Sequence, residues 1–435
     1  MTARPAQAAR TALVLAALTA ALPVELAATA VGLARARRRR GPAVAPTGRT
    51  VLISGGKMSK ALQLARAFHA AGHRVVLVES ARYRLTGHRF SRAVDRFHVV
   101  PDAGADDFAA ALRDIVRREG VDVFVPVSSP ASSVPEARAR RELDGLCEVL
   151  HVDPDVVERL DDKHAFAATA AALGLPVPET HRVTDPEQVL GLPLRPGVRY
   201  VLKSIPYDPV NRLDLTPLPR PTEAETAAFV RSKPISEEQP WIVQELLEGE
   251  EWCTHGTVRS GELTVHCCCP SSPFQVNYAH VDKPAVEAWV RTFVSALDLT
   301  GQVSFDFIEG ADGVVRAIEC NPRTHSAVTT FHDHPDLAAA YLRAGATLTP
   351  RPGSRPTYWL AHELWRLLSR QRRLPEGLRV LARGTDAVWD GSDPLPFLAL
   401  HHLHIPSLLL RDLWQGRDWV RIDFNIGKLV APAGD

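Results

Sequence analysis

The sequence predicts a protein of mixed α/β and α+β class, in which a parallel-sheet domain is followed by two α+β lobes and preceded by one apolar helix. Three observations lead to this prediction. Strand and helix patterns alternate through residues 49–160, paired strand patterns carry carboxylates within residues 251–348, and Ala and Leu dominate residues 11–34. A chain of 435 residues is long enough for several hydrophobic cores.

Shifts in composition set the predicted boundaries, because Pro-rich stretches precede Thr50 and follow Leu348. We divide the chain into an N-terminal helix with its polybasic flank and linker (1–48), a Rossmann-like domain (49–160), the two lobes (161–348, small lobe about 161–250, large lobe about 251–348) and a C-terminal helical extension (349–435). The net charge of +1 provides no general attraction to nucleic acid, so we exclude a nucleic-acid partner.

The apolar segment 11–34 is long enough to span a bilayer. Five arginines follow it, between Arg35 and Arg40, whereas only Arg4 and Arg10 precede it, and this asymmetry favours a folded body held at the cytoplasmic face of the cell membrane. Pro23 and Glu25 weaken the pattern of a spanning helix. An interfacial anchor and a helix without membrane contact therefore stay as alternatives.

The domain 49–160 begins with strand, glycine turn, amphipathic helix and strand in TVLISGGKMSKALQLARAFHAAGHRVVLVES, which is a βαβ unit. SGGK lacks the dinucleotide-binding fingerprint and is not a P-loop. A second unit ends in VDVFVPVSS, which places Ser128 and Ser129 beyond the carboxyl end of a strand, where open parallel sheets bind ligands. Both serines are candidate substrate contacts, with helix capping as the alternative.

The segment GQVSFDFIEGADGVVRAIECNPR predicts a β-hairpin that carries a metal site. Asp306 lies between two phenylalanines and Glu319 between Ile318 and Cys320, so the alternation of side chains lets both carboxylates face one cleft. Asn321 adds an amide oxygen to the same face, and Arg323 adds a guanidinium. Oxygen ligands beside a phosphate-binding arginine suit Mg²⁺ bound to substrate phosphates, whereas the alternative is a surface hairpin with solvated acids.

The D…E-x-N-P-R arrangement resembles the metal-binding core of the ATP-grasp superfamily, in which two α+β lobes hold Mg-ATP between them. The resemblance implies ATP and Mg²⁺ as cofactors, with Mn²⁺ as a substitute, and Asp306, Glu319 and Asn321 as metal ligands. It further implies phosphate contacts from Lys163 and Lys203, nucleoside contacts from Gln244, Glu245, Leu247 and Glu251, and catalytic roles for Lys203 and Arg323.

One departure from that pattern concerns the loop expected to cover the phosphates. Many ATP-grasp enzymes have a glycine-rich loop there, whereas KSIPYDPVNRLDLTPLPRP contains proline and no glycine. Tyr207, Asp208, Arg212 and Asp214 are candidates for a substrate-specific lid, and a proline-stiffened surface loop is the alternative.

Several further motifs resemble the mycosporine-glycine synthetases, among them SGGKMSKALQLARAFHAAGHRVVLVE, VLKSIPYDPVNRLDLT, HCCCPSSPFQVNY, AIECNPRTHSAVTTF and DFNIGKLV. That family implies ATP-dependent joining of glycine to the cyclohexenone 4-deoxygadusol, with an ultraviolet-absorbing product. Residues suited to these substrates are Thr324, His325 and Ser326, with Gln275, Asn277 and Tyr278 opposite. A ligase that makes an amide from another acid and a non-catalytic, membrane-tethered nucleotide-binding protein are the alternatives.

The C-terminal patterns YWLAHELWRLLSRQ and FLALHHLHIPSLLLRDLWQ predict amphipathic helices that pack onto the body through their Trp and Leu side chains, with a lipid-facing role beside the N-terminal helix as the alternative. We expect His401, His402 and His404 to be core or surface residues, because no acid or cysteine is spaced to complete a metal site with them. Cys267, Cys268 and Cys269 alternate along one strand, so we expect reduced packing residues instead of a ligand cluster.

Overall fold

The computed structural model describes residues 5–39, 48–206, 208, 210–211, 214–271, 277–369 and 371–432. Its first element is a single long helix, α1 (Pro5–Arg39), which contains Pro23 without breaking. The helix extends beyond the predicted segment 11–34 at both ends. It packs against the C-terminal part of the chain, where the Trp419 indole donates a hydrogen bond of 3.1 Å to the Thr11 hydroxyl.

The first domain is a doubly covered parallel sheet. Its elements are β1 (Thr50–Ile53), α2 (Ser59–Ala70), β2 (Arg74–Ser80), β3 (Arg96–Val100), α3 (Phe108–Glu119), β4 (Val123–Val125), α4 (Ser133–Leu143), β5 (Glu148–Val149) and α5 (Pro154–Asp161). The strand order is β3-β2-β1-β4-β5, and all pairs are parallel. Val51 and Ile53 enter one hydrophobic core and Leu52 enters another, because both faces of β1 are covered.

The strand order reverses between β1 and β4, and this is the point at which open parallel sheets bind ligands. The glycine turn after β1 lies there, beside Ser128 after β4. Gly55 has φ +65°, and a Cβ atom on it would lie 2.2 Å from the Val127 carbonyl oxygen, so this turn requires glycine.

The small lobe carries an antiparallel sheet in the order β6-β8-β7. Its elements are α6 (Lys163–Ala172), β6 (Thr180–Val183), α7 (Pro186–Gly191), β7 (Tyr200–Ser204), α8 (Glu223–Arg231) and β8 (Trp241–Glu245). α6 begins at Lys163 because the Asp162 carboxylate caps the helix by accepting hydrogen bonds from the His164 and Ala165 amides at 2.8 and 2.9 Å.

The large lobe is built on a sheet in the order β10-β9-β12-β13. Its elements are β9 (Glu250–Arg259), β10 (Glu262–Pro270), β11 (Asn277–Tyr278), α9 (Pro284–Ala296), β12 (Gly301–Glu309), β13 (Val315–Asn321) and α10 (Leu337–Leu342). The predicted hairpin 301–321 is confirmed as β12 and β13. Phe305 and Phe307 point into the core opposite Trp289, with centroids 5.4 and 5.2 Å from its ring, which fixes the face that Asp306 must occupy.

We predicted a helical C-terminal extension, but the structure also has four short strands there. Its elements are β14 (Thr357–Tyr358), α11 (Leu360–Leu368), α12 (Leu374–Arg383), β15 (Thr385–Asp386), α13 (Leu395–Ala399), α14 (Ile405–Trp414), β16 (Arg421–Asp423) and β17 (Lys428–Val430). β14 pairs with β11 of the large lobe and with β15. These pairings were invisible in the sequence because each involves only two residues.

Candidate functional site

Two carboxylates lie side by side at the centre of the large-lobe hairpin. Asp306 on β12 and Glu319 on β13 are direct partners in the antiparallel register, and an irregularity of register follows immediately after Asp306. Burial and the adjacent Glu319 carboxylate raise the pKa of Asp306, against the opposing effect of Arg323. A bound cation would offset the repulsion between the two carboxylates.

Asn321 and Arg323 complete this end of the hairpin. The Asn321 amide donates to Asp306 Oδ2 at 3.3 Å, and its oxygen accepts a hydrogen bond from the Arg323 guanidinium. The same guanidinium donates to Asp161 Oδ1 at 2.8 Å. Arg323 is therefore positioned by an acid at the end of the first domain, and Asn321 is held between Arg323 and the carboxylates.

The two predicted lysines lie on the small-lobe side of the same cleft. Lys163 Nζ is 3.9 Å from Glu319 Oε1. Lys203 Nζ donates to Gln244 Oε1 at 2.9 Å, which fixes the lysine across two neighbouring strands, β7 and β8. Burial lowers the pKa of Lys203, and the nearby Lys163 acts in the same direction, while the Glu319 and Asp306 carboxylates oppose this shift. Cations and carboxylates thus face each other from the two lobes.

The connection between the lobes contains the remaining predicted nucleotide contacts. Glu245 ends β8 and accepts a hydrogen bond of 2.9 Å from Arg195, which also contacts Glu179 at 2.6 Å. Leu247 is half-buried in the turn that follows, and Glu251 is exposed on β9 opposite Ile308. In this arrangement Glu245 is engaged within the small lobe.

A cavity of about 510 Å³ opens beside this connection. Its lining combines the small side chains of α6 with charged side chains. The lining residues are His164, Ala167, Ala168, Ala171, Val177, Pro178, Glu179, Thr180, Arg195, Glu245 and Arg316. It reaches Glu245 but none of the residues at the carboxylate pair. We therefore locate the candidate site from the facing charges instead of from this cavity.

The donor set at the hairpin fits a hard cation. Two carboxylates and an amide oxygen are the ligand types that Mg²⁺ takes when it keeps waters and binds phosphate oxygens. Across the part of the chain that the structure describes, no cluster of three His, Cys, Asp or Glu side chains offers a dedicated metal cage. Asp306, Glu319 and Asn321 are the residues that would hold the ion.

The structure brings one group of the predicted substrate residues together at the seam between the first domain and the large lobe. The Ser128 hydroxyl donates to the buried Glu136 carboxylate, and the Thr324 hydroxyl donates to Gln302 at 2.7 Å. His325 packs edge-on against Tyr278 with centroids 5.4 Å apart, and burial lowers the pKa of His325 to about 3, so this imidazole is neutral at physiological pH.

Other predicted substrate residues lie differently. Ser129 contacts Ser132 within its own turn at 2.9 Å, and Asn277 donates to Glu363 of the C-terminal extension at 3.2 Å. Asp208 accepts a hydrogen bond from the Val210 amide within the lid segment, and Asp214 accepts one from Lys233. Tyr207, Arg212 and Gln275 fall outside the described residues.

Sequence reasoning missed three residues near this seam, which are Lys60, Asn425 and Asp161. Lys60 is buried and donates to the Ser128 and Thr324 carbonyl oxygens at 3.1 and 2.6 Å, so it joins the first domain to the segment after Arg323. Burial, reinforced by Arg323, lowers the pKa of Lys60 to about 7. Asn425 links the Ser59 hydroxyl at 2.6 Å to the Ser326 hydroxyl at 2.8 Å.

The signals for the missed residues were faint. Lys60 lies on the buried face of an amphipathic helix, where a lysine is unusual and is itself a clue. Asn425 lies in the quoted motif DFNIGKLV, but its contact with Ser59 spans 366 positions. Asp161, the acid that contacts Arg323, precedes Lys163 in the run DDK and attracted no separate attention.

Comparison with solved structures identifies this architecture. One neighbour is an ADP complex of N5-carboxyaminoimidazole ribonucleotide synthetase, with a TM-score of 0.55 and 13% identity over 75% of this chain and 86% of that chain. Another is N5-carboxyaminoimidazole synthetase from Staphylococcus aureus, with a TM-score of 0.52 and 14% identity over 71% and 81% of the two chains. The chain has the ATP-grasp fold.

A biotin carboxylase domain of a single-chain bacterial carboxylase is a third ATP-grasp neighbour, with a TM-score of 0.51 and 18% identity over 67% of each chain. No protein-family model matches the sequence. No curated protein matches it either. The likeness therefore concerns the ATP-grasp fold, and within that fold the Asp306–Glu319 hairpin and the two lysines lie on opposite lobes of one cleft.

Proposed function

We propose that this protein is an ATP-dependent ligase that forms a carbon–nitrogen bond and releases ADP and phosphate. The observation that carries the proposal is the pair Asp306 and Glu319 facing Lys163 and Lys203 across the cleft, with Lys163 Nζ 3.9 Å from Glu319. Facing carboxylates and ammonium groups are the arrangement needed to bind a metal–triphosphate, because phosphoryl transfer depends on positioning and charge neutralisation.

Mg²⁺, or Mn²⁺ in its place, would supply Lewis-acid neutralisation of the phosphate oxygens when held by Asp306, Glu319 and Asn321. Two lysines and an arginine supply the remaining positive charge. Lys203, held by Gln244, donates to phosphate oxygens from the small lobe, and Lys163 does so from the start of α6. Arg323, oriented by Asp161, stabilises the negative charge on the transferring group.

For the substrates we propose glycine and 4-deoxygadusol, on the strength of the sequence resemblance to mycosporine-glycine synthetases. The enol oxygen attacks the γ-phosphorus of ATP, the bond from phosphorus to the bridging oxygen breaks, and ADP leaves. The glycine amine then adds to the ring carbon that bears the phosphate, the carbon–oxygen bond breaks, and phosphate leaves. Loss of a proton from nitrogen gives an enaminone.

The acceptor would bind at the seam where the first domain meets Arg323. The Ser326 hydroxyl and the Asn425 amide lie on one side of this seam. Ser128 lies on the other side, where its carbonyl oxygen accepts a hydrogen bond from Lys60. These neutral donors and acceptors suit a small polyhydroxylated ring. Arg323 lies between this seam and the carboxylate pair, so it can contact both an enol oxygen and the phosphate that reaches it.

A second candidate is a ligase that activates a carboxylate and makes an amide with an amine. The observation in its favour is the similarity in fold to N5-carboxyaminoimidazole ribonucleotide synthetase and to a biotin carboxylase domain. The two candidates share the nucleotide site and differ in the acceptor. Product analysis distinguishes them, because the enaminone shifts the ultraviolet absorption of the ring whereas an amide on a separate acid does not.

The experiment that tests the proposal follows ultraviolet absorption and ADP release together in a reaction of the full chain with Mg-ATP, glycine and 4-deoxygadusol. We expect a red-shifted product in equal amount to ADP, and neither signal from the matched variant Asp306→Asn. ADP release with an acid and an amine, but no spectral shift with 4-deoxygadusol, would favour the amide-forming ligase. No nucleotide-dependent turnover with either pair would overturn the proposed activity.

We also infer that the catalytic body is cytoplasmic and held at the inner face of the cell membrane. The support is that α1 is long and apolar, that its side away from the body exposes Leu13, Val24, Leu26 and Val31, and that arginines cluster after it. Deleting residues 1–48 should reduce the membrane-bound fraction and leave ligase activity in the soluble fraction. An unchanged membrane-bound fraction after this deletion would contradict an anchor formed by α1.

A further inference from the structure

Helix α11 is inverted relative to an ordinary surface helix, because its charged residues point inward. Glu363 is fully buried, and its carboxylate accepts a hydrogen bond of 2.6 Å from Arg372 and lies 3.7 Å from Arg366. Asn277 of β11 donates to the same carboxylate at 3.2 Å. A buried acid with these partners is satisfied, so the polar side of α11 is committed to the protein interior.

Part of the apolar surface of α11 and of its neighbour α12 points outward, whereas Leu360 and Ala361 of α11 pack against the core. We define the hairpin face as Leu364, Trp365 and Leu368 on α11 with Leu374 and Leu378 on α12. Trp365 is 63% exposed and Leu368 80% exposed, and the other three are exposed as well. Five exposed large apolar side chains on one packed helix pair are typical of an interaction surface.

α1 also directs polar groups toward the body. Thr11 and Glu25 of α1 point inward, where Glu25 Oε2 lies 3.2 Å from His401 Nδ1 and 3.0 Å from His402 Nε2. Val14, Leu15 and Leu18 of α1 pack against the core, while the outward side of the helix exposes Leu13, Val24, Leu26 and Val31. α14 buries Ile405, Leu408 and Leu409 in the usual way, and Trp414 at its end is 90% exposed. Large apolar side chains thus face outward on separate elements of the N- and C-terminal regions.

The charges around the hairpin face identify the surface that would cover it. Arg373, Arg379 and Arg383 are exposed on or beside α12, and Glu376 is the acid that accompanies them on that helix. Exposed arginines beside leucines and a tryptophan are typical of helices that lie in a membrane interface and attract anionic headgroups. A protein partner would not explain why α1, the helix long enough for a bilayer, also exposes large apolar side chains.

We propose that the hairpin face is a second membrane contact, which inserts into the surface of an anionic lipid bilayer. Leu364, Trp365, Leu368, Leu374 and Leu378 enter the boundary between headgroups and acyl chains, and Arg373, Arg379 and Arg383 bind lipid phosphates. The buried Glu363 pairs keep both helices attached to the body. This inference concerns localisation and does not depend on the proposed ligase activity.

The test places an environment-sensitive fluorophore at position 368 in the full chain, through Leu368→Cys, and at position 238 of the small lobe, through Glu238→Cys. The unsubstituted protein is labelled in parallel as a control, since five of its six cysteines are buried and Cys147 is half-buried. Each protein is mixed with vesicles of phosphatidylcholine, with or without phosphatidylglycerol. We expect a blue shift at position 368 only, and a larger one with phosphatidylglycerol.

Two further variants test the chemistry of the contact. Trp365→Ser combined with Leu368→Ser should weaken partition into anionic vesicles about tenfold or more, because two large side chains no longer leave water. Arg379→Gln combined with Arg383→Gln should reduce the extra blue shift that phosphatidylglycerol causes at position 368 and leave the fold unchanged, since both side chains are exposed.

Three outcomes would overturn the proposal. The label at position 368 could stay in water on vesicle-bound protein, which would leave α1 as the sole anchor. The protein could fail to bind either vesicle. The label could be shielded without vesicles while sedimentation shows a dimer, which would identify a second copy of this chain as the occupant of the face.

Discussion

Asp306 on β12 and Glu319 on β13 are directly opposite each other in the antiparallel register. Phe305 and Phe307, on either side of Asp306, pack against Trp289 in the aromatic core. Burial and repulsion from Glu319 raise the pKa of Asp306, while the positive charges of Arg323 and Lys203 oppose this shift. A cation bound between the two carboxylates would act in the same direction as these side chains.

Neutralising either carboxylate should abolish turnover without unfolding the protein. For Asp306→Asn and Glu319→Gln we expect a loss of at least about a thousandfold in kcat, because each removes an ionic metal ligand. The thermal unfolding midpoint without metal should stay unchanged or rise, since the repulsion between the two acids is relieved. Parallel measurement of ADP release and calorimetry checks both expectations, and near-normal kcat in either variant would contradict the metal assignment.

Lys203 should contribute mainly to nucleotide binding and phosphate positioning. We expect Lys203→Met to raise the KM for ATP by about tenfold or more, because a charged hydrogen bond to phosphate is lost in a partly buried site. Gln244→Ala should have a smaller effect of the same sign, since Gln244 is neutral and acts on the phosphates through its hydrogen bond to the lysine. Arg231→Met, on the surface of α8 beside Glu187, is the matched control and should leave the KM for ATP unchanged.

Lys60 should make stability rise with pH above neutrality. Its pKa falls to about 7 in the folded protein, from about 10.5 when unfolded, so between these values the unfolded chain binds the extra proton. The free energy of unfolding should therefore increase with pH in this window, by up to about 1.4 kcal/mol per pH unit. Below about pH 7 both states carry the proton, and the contribution of Lys60 no longer changes.

Urea denaturation at neutral and alkaline pH measures this slope. Lys60→Met should flatten it, whereas Lys283→Met, a partly exposed lysine paired with Glu309 at 2.6 Å, should keep it. Identical slopes for the native chain and Lys60→Met would show that Lys60 keeps its proton throughout the range.

Glu25 should determine how firmly α1 is attached to the body. Glu25→Gln replaces the carboxylate that contacts His401 and His402, so we expect faster amide hydrogen exchange in the central turns of α1 while the large lobe is unaffected. Arg35→Gln, on the exposed side of the same helix, is the control. Equal protection of α1 in both variants would show that the Glu25 carboxylate does not help to hold the helix.

Local patterns predicted the parts of the fold whose signals lie close together in the sequence. The alternation around Asp306 and Glu319 predicted the hairpin, because the pleat of a strand acts within a few residues. Whether the predicted site residues bind nucleotide stays a prediction, although the structure brings Lys163 and Glu319 within 3.9 Å.

Long-range contacts account for what the sequence did not reveal. The buried role of Lys60 depends on carbonyl groups of residues 128 and 324, which no local pattern connects. The expectation that Trp and Leu of the extension would pack inward was wrong for Trp365 and Leu368. A periodic pattern identifies an apolar face but not what covers it, and here the buried Glu363 turns that face outward.

The contacts made by Asn425 and Trp419 have a consequence for the order of events during synthesis. Ser59 in the first helix of the parallel domain waits for Asn425, and Thr11 waits for Trp419, which is 408 positions later. A chain emerging from the ribosome can form its first sheet early, because that sheet is complete by Val149. The hydrogen bonds that join Ser59 and Ser326 through Asn425 form only after nearly all of the chain has been translated.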